Sequence, residues 1–163
     1  MNWRSSARTI AICAMMAALL ELGKFMLNAV ANVEVVTLLI LLFSRRFGWK
    51  VLPSIAVFVG LEFLFWGFGT WSFCYLYVWP LLAGIGIIFR KQNATLLWAL
   101  IAGAFGLCFG ALCSLTYLVI GGIHFAFTWW TAGIPYDLIH CGANFVLTLI
   151  LWKPLDRLLA RLA

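Results

Sequence analysis

The chain alternates long apolar runs with brief polar punctuation. The runs form six blocks, from about Thr9 to Leu27, Val33 to Phe43, Val51 to Phe68, Ser72 to Phe89, Leu96 to Ile120 and Ile134 to Trp152. About 20 apolar residues cross the roughly 30 Å of hydrocarbon in a bilayer, and most of the blocks meet that length. The second block is short, which predicts a tilted or partly interfacial segment. Lipid leaves open backbone groups unsatisfied, so such blocks must be helices or strands of a closed barrel. Barrel strands alternate apolar and polar residues over about ten positions, whereas these blocks are continuously apolar. The pattern predicts an all-α integral membrane protein, a compact bundle of six transmembrane helices forming one domain over residues 1–163.

Composition closes off the other classes. Hydrophobic residues make up 66% of the 163, aromatics 17% and charged residues 10%. A soluble domain has about 25% charged and about 45–50% apolar residues, and a disordered chain is more charged and less apolar still. The charges that remain are sorted by position. Arg4 and Arg8 precede the first block, and Arg45, Arg46 and Lys50 separate the second from the third. Arg90 and Lys91 separate the fourth from the fifth, and Lys153, Arg157 and Arg161 follow the sixth. Ten of the eleven cations thus fall on one side, with Lys24 the exception inside the first block. By the positive-inside rule this predicts cytoplasmic termini and an even number of spans. The net charge of +6 is therefore a topology signal and not a nucleic-acid-binding patch. The cation-plus-apolar N-terminus resembles a secretory signal, but no soluble domain follows, so the first block is expected to be a permanent helix. The five cysteines (Cys13, Cys74, Cys108, Cys113 and Cys141) form no C-x-x-C and are expected to pack as small hydrophobes, with no metal site. The sequon Asn93-Ala94-Thr95 falls on the expected cytoplasmic side and is taken as chance.

Within the blocks, small and polar residues stand out. Ala7, Ala11, Ala14 and Ala18 recur at spacings of 4, 3 and 4 and share one helix face. Such a stripe lets another helix approach closely, whether from the same chain or from a partner. Gly103, Gly106, Gly110 and Ser114 form a similar stripe, read as internal packing. Ionisable groups in a membrane are costly and point to function. Lys24 and Asn28 lie near the outer end of the first block, and Glu21 is placed to neutralise Lys24. Glu34 opens the second block with Asn32 as a possible N-cap. Glu62 is deep in the third block and requires a ligand or a partner such as Lys24 or His140. The sixth block opens Gly133-Ile134-Pro135-Tyr136-Asp137, with Pro135 suited to a first helical turn. Asp137, His140, Asn144 and Thr148 then form one polar stripe, as the lining or support of a site. The outer connections are rich in aromatics, including Trp66, Trp71, Tyr75, Trp129, Trp130 and, at the head of the sixth block, Tyr136. Part of this set is read as an interfacial belt and part as the cap of a cavity for a flat or heterocyclic ligand. No P-loop, H-E-x-x-H or G-x-S-x-G occurs, so the chain has no ATPase of its own and no recognised catalytic motif. No cofactor or metal is indicated.

Three features carry a family likeness. One is Ala14-Met15-Met16-Ala17-Ala18 within the small-residue helix. Another is Asn32-Val33-Glu34-Val35-Val36-Thr37-Leu38-Leu39-Ile40. The third is Gly133 to His140 followed by Asn144-Phe145 and Lys153-Pro154-Leu155. Together they resemble the substrate-binding S component of energy-coupling factor (ECF) transporters, vitamin importers of bacterial and archaeal plasma membranes, and the likeness extends over the whole chain. The resemblance implies a non-enzymatic subunit that binds a vitamin or precursor near the outer face. It implies docking of the helix-one alanines (Ala14 and Ala18, with Ala7 and Ala11) on a membrane scaffold subunit coupled to two ATPase subunits. It also implies toppling in the membrane to release the ligand inward. The candidate ligand residues rest on the reading above: Lys24, Asn28, Glu62, Trp66, Trp71, Tyr75, Trp129, Trp130, Tyr136, Asp137, His140 and Asn144. Two other classes fit less of the pattern. One is a tryptophan-rich membrane sensor without ATPase partners. The other is a membrane-embedded enzyme using Asp137, His140 and Glu62 for acid–base work.

Overall fold

The computed structural model describes residues 3–28 and 30–161, with side chains from residue 7 onward. The Arg4 side chain, counted above among the cytoplasmic cations, lies outside the described residues. Every regular element among the described residues is helical: α1 (Trp3–Leu27), α2 (Val36–Phe47), a 3₁₀ turn (Gly48–Lys50), α3 (Val51–Trp66), α4 (Thr70–Ile88) and α5 (Thr95–Leu159). By length and composition, four helical stretches are able to cross a membrane: Ala7–Leu27, Val36–Trp66, Thr70–Ile88 and Thr95–Leu159.

Glycines with positive φ interrupt the second and the fourth of these stretches. Gly48 has φ 58° and ψ −135°, and Gly122 has φ 76° and ψ −176°. Both conformations are costly for a residue with a Cβ and open to glycine. At Gly122 the chain turns back on itself. Trp98 stacks on Trp152 at 4.4 Å, Asp137 accepts the Gly110 N–H at 3.0 Å, and Tyr117 stacks on Trp129 at 4.3 Å. In a straight helix Trp98 and Trp152 would be separated by about 80 Å, so residues 95–121 and 123–159 are the antiparallel arms of a hairpin. Small residues set the closeness of the arms. A methyl group at Gly106 would lie 2.8 Å from the His140 carbonyl carbon, and one at Gly110 2.3 Å from an Asp137 oxygen. In an apolar environment this closeness supplies the dispersion contacts that hold helices together.

Other contacts fix the directions of the remaining helices. Cys13 bonds the Lys50 carbonyl and Lys24 pairs with Glu62, so α1 and α3 run parallel. Glu34 meets His140 and Arg46 meets Asp156, so the α2 segment runs parallel to the second hairpin arm. Thr70 bonds Tyr117 and Tyr77 bonds the Leu112 carbonyl, so α4 runs antiparallel to the first arm. The chain therefore reverses at Gly48 as well. The assembly has two ends. One gathers Arg45, Arg46, Gln92, Asn93 and Asp156, and the other gathers Lys24, Glu34, Glu62 and His140. Between them lies a core that buries Met16, Leu20, Phe43, Phe58, Leu82 and the Trp98–Trp152 stack.

Three expectations change. The fifth connection, expected to separate blocks ending near Ile120 and starting near Ile134, is helical apart from Gly122, so Phe125, Phe127, Trp129 and Trp130 sit on a helix. Pro135 lies inside that helix and not in its first turn. The physical reason is that no Gly or Pro stands between Gly122 and Gly133: an apolar aromatic run keeps its backbone bonded by staying helical, and the helix then carries on through Pro135. Lastly, α2 begins three residues later than the apolar block, and Asn32 is not its cap. Asn32 occupies a left-handed turn at φ 57°, and the Glu34 carboxylate accepts the Thr37 N–H at 2.8 Å. Glu34 thereby satisfies one of the amide groups that a helix start leaves open.

Candidate functional site

The cation-poor end holds a cavity of about 160 Å³. The C-terminal turn of α1 brings Lys24 to it, and the following connection brings Asn28, Asn32 and Glu34. From α4 come Tyr75 and Trp79, and from the two hairpin arms come Phe109 and His140. Four separate elements thus supply charged or hydrogen-bonding groups to one small space walled by aromatic rings, which is the make-up of a small-molecule site.

Two side-chain pairs organise it. Lys24 pairs with Glu62, whose residue is fully buried, and the Lys24 ammonium lies over the rings of Trp71, Tyr75 and Trp66 at 5.0, 5.1 and 5.8 Å. Glu21, expected to neutralise Lys24 from one turn away on α1, makes no salt bridge with it; α3 instead brings Glu62 across. The second pair is His140 Nε2 and Glu34 Oε1, 3.1 Å apart. The edge of the His140 ring meets Phe109 at 5.0 Å, which fixes its plane. Glu34 stands in the connection ahead of α2. Burial pushes its carboxyl up, but the hydrogen bonds with His140 and Thr37 outweigh burial and hold it below the ordinary carboxylate range.

Several polar atoms here have no protein partner. They include Glu62 Oε1, His140 Nδ1 and Trp79 Nε1, all on residues at least nine-tenths buried. Buried polar groups are bonded in the great majority of native structures, and each exception calls for a cause such as a ligand.

The expected site residues fall into three groups. Lys24, Asn28, Tyr75 and His140 line the cavity. Glu62, Trp66 and Trp71 surround the Lys24 head just beside it. The remaining five lie elsewhere. Asp137 is buried but reaches across the hairpin to the Gly110 amide. Asn144 and Thr148 continue the buried stripe along the hairpin, where Asn144 Nδ2 and Thr148 Oγ1 are unpartnered. Trp129 stacks on Tyr117, Trp130 meets Phe127 edge-on at 6.1 Å, and Tyr136 is exposed. Four polar or aromatic residues of the cavity lie outside the expected set: Asn32, Glu34, Trp79 and Phe109. Glu34 carries a signal, a carboxylate beside an apolar run, that its capping role absorbs; Trp79 belongs to the outer aromatic group without being singled out from it, and Phe109 reads as an ordinary apolar position.

The alanine stripe is the other feature of α1. Ala7, Ala11, Ala14 and Ala18 are all exposed, while Met16, Ala17 and Leu20 are buried against the rest of the chain. Ala18 opens onto an apolar groove between α1 and α3, lined by Leu22, Phe25, Leu61 and Phe65. Among the described residues no three His, Cys, Asp or Glu side chains gather as metal ligands do.

Comparison of the chain with protein-family models, with curated proteins and with solved structures finds no match in any of the three.

Proposed function

We propose that the chain is the substrate-capture subunit of an importer of the ECF type, holding a vitamin or vitamin precursor in the cavity at the cation-poor end. The single observation that carries this reading is the convergence of Lys24, Asn28, Glu34 and His140 on one aromatic-walled cavity with unpartnered buried atoms around it. The positive-inside rule puts the Arg45–Arg46–Asp156 end in the cytoplasm and the cavity at the outer face. On that reading the four apolar stretches, two of them reversing at glycine, make six crossings with both termini inside. The exposed Ala7, Ala11, Ala14 and Ala18 face is the docking surface for a membrane scaffold subunit, and two ATPase subunits supply the energy. The sequence likeness to S components supports the same assignment, and the subunit itself performs no catalysis.

The test separates docking from capture. Ala14→Trp with Ala18→Trp places two large side chains on an exposed face, so the chain is expected to fold and bind ligand as before while uptake by the assembled transporter is abolished. Uptake at the unmodified level, or loss of ligand binding together with uptake, refutes the docking face. Topology is checked by an impermeant thiol reagent. His124→Cys is expected to label from outside and Gln92→Cys is not; Gly122 is avoided because its φ of 76° strains any other residue.

A further inference from the structure

Lys24 occupies a position built for a cation. One carboxylate, Glu62, and three aromatic rings, those of Trp66, Trp71 and Tyr75, surround its ammonium. Aromatic faces around an ammonium, with a carboxylate beside them, are the arrangement by which proteins recognise organic cations. Here the occupant is the chain's own side chain on a flexible four-carbon stem. Lys24 and Tyr75 belong both to this cage and to the wall of the cavity, so the two spaces adjoin. The lysine side chain is a fifth exposed and has water to move into.

The carboxylate of the cage has bonding capacity to spare. Glu62 is fully buried and its Oε1 has no hydrogen-bond partner. In a low-dielectric site such an oxygen attracts positive charge and repels anions. Lys24 is already neutralised by Glu62, so it offers no free charge to an anionic ligand.

We propose that the ligand carries a cationic head, an ammonium or a positively charged ring nitrogen, which replaces the Lys24 ammonium in the cage of Trp66, Trp71, Tyr75 and Glu62. Lys24 is a tethered stand-in: it neutralises Glu62 while the site is empty and swings outward when cargo arrives. The adjoining cavity of about 160 Å³ matches one small ring, because an apolar cavity of about 150 Å³ accommodates benzene. The cargo class is therefore a small organic cation with a single ring or a compact branched body. This deepens the capture reading and rests on it.

Choline, its neutral isostere dimethylbutanol and the matching carboxylate dimethylbutanoate test the assignment on the purified full chain, with tryptophan fluorescence as the readout. Choline is expected to bind about tenfold or more tighter than the neutral isostere, with the carboxylate weakest. Lys24→Met removes the stand-in and is expected to raise choline affinity about tenfold, whereas Lys24→Arg keeps a cation in place and does not. Trp71→Ala is expected to weaken choline binding in either background. Should Lys24→Met fail to fold, the order of the three probes on the unmodified chain decides. Equal or tighter binding of the neutral or anionic isostere overturns the proposal. So does a folded Lys24→Met chain that binds choline no better, and so does the absence of saturable choline binding. A neutral or anionic compound that co-purifies and is lost with His140→Ala would overturn the cationic cargo while leaving capture intact.

Discussion

At one end of the helices Arg46 grips Asp156 through two hydrogen bonds of 2.6 Å, Arg45 joins the same carboxylate at 3.4 Å and bonds Asn93 at 2.7 Å, and the Trp98–Trp152 stack lies against them. At the other end Lys24 holds Glu62 and His140 holds Glu34, yet Glu62 Oε1, His140 Nδ1 and Trp79 Nε1 are left without partners around a cavity. Both ends are built from the same materials, ion pairs and aromatic rings. The first uses them to tie three segments distant in sequence into one cluster, and the buried atoms it leaves unpartnered are small hydroxyls, those of Ser44 and Thr95. The second leaves a carboxylate oxygen and two ring nitrogens unpartnered around a cavity, and a buried charged group without its bonds costs more than a hydroxyl does. That difference is what the capture proposal rests on.

Breaking the hairpin that joins the ends should have the largest effect. Gly106→Val drives a side chain into the His140 and Cys141 backbone, which has no flexible atom to yield. It is expected to destabilise the chain by more than about 3 kcal/mol and to abolish both cluster and cavity. Gly142→Val, facing open space, is the control and should leave the melting temperature nearly unchanged. Next, Arg46→Ala leaves Asp156 without its forked partner. A loss of about 2 kcal/mol in thermal stability is expected, with ligand affinity unchanged; a change in affinity would mean the ends are coupled. His140→Ala should do the converse, weakening ligand binding by about tenfold, or about 1.4 kcal/mol, with a smaller change in melting. Loss of stability without loss of affinity would reduce the Glu34–His140 pair to a structural tie. The smallest effect is expected at Thr148, whose buried hydroxyl lacks a partner. Thr148→Val should stabilise by up to about 1 kcal/mol; a loss of stability would show that the hydroxyl is bonded.

The helical fold was legible because 66% apolar composition and continuous runs leave no other solution in lipid. The charge-sorted ends were legible for the same reason: few charges remain, and their spacing along the chain is that of the turns. The break within α5 was harder to place. Pro135 is the stronger punctuation on paper, but a proline removes one bond from a helix that its surroundings otherwise preserve, while Gly122 alone adopts φ 76°. The site was half legible. Lys24, Glu62 and His140 announce themselves as ionisable groups in apolar blocks. Trp79 and Phe109 do not, since their role depends on how α4 meets the hairpin. Asp137 shared a helical stripe with His140, yet the close approach of Gly110 gives it a different partner. Periodicity assigns a face; only the neighbouring helix decides what that face touches.

The most direct test of capture at the cation-poor end is mass spectrometry of small molecules that co-purify with the chain. A single compound is expected to accompany the unmodified protein and Arg46→Ala alike and to be lost from His140→Ala. No retained compound, or one retained equally by His140→Ala, would contradict the account.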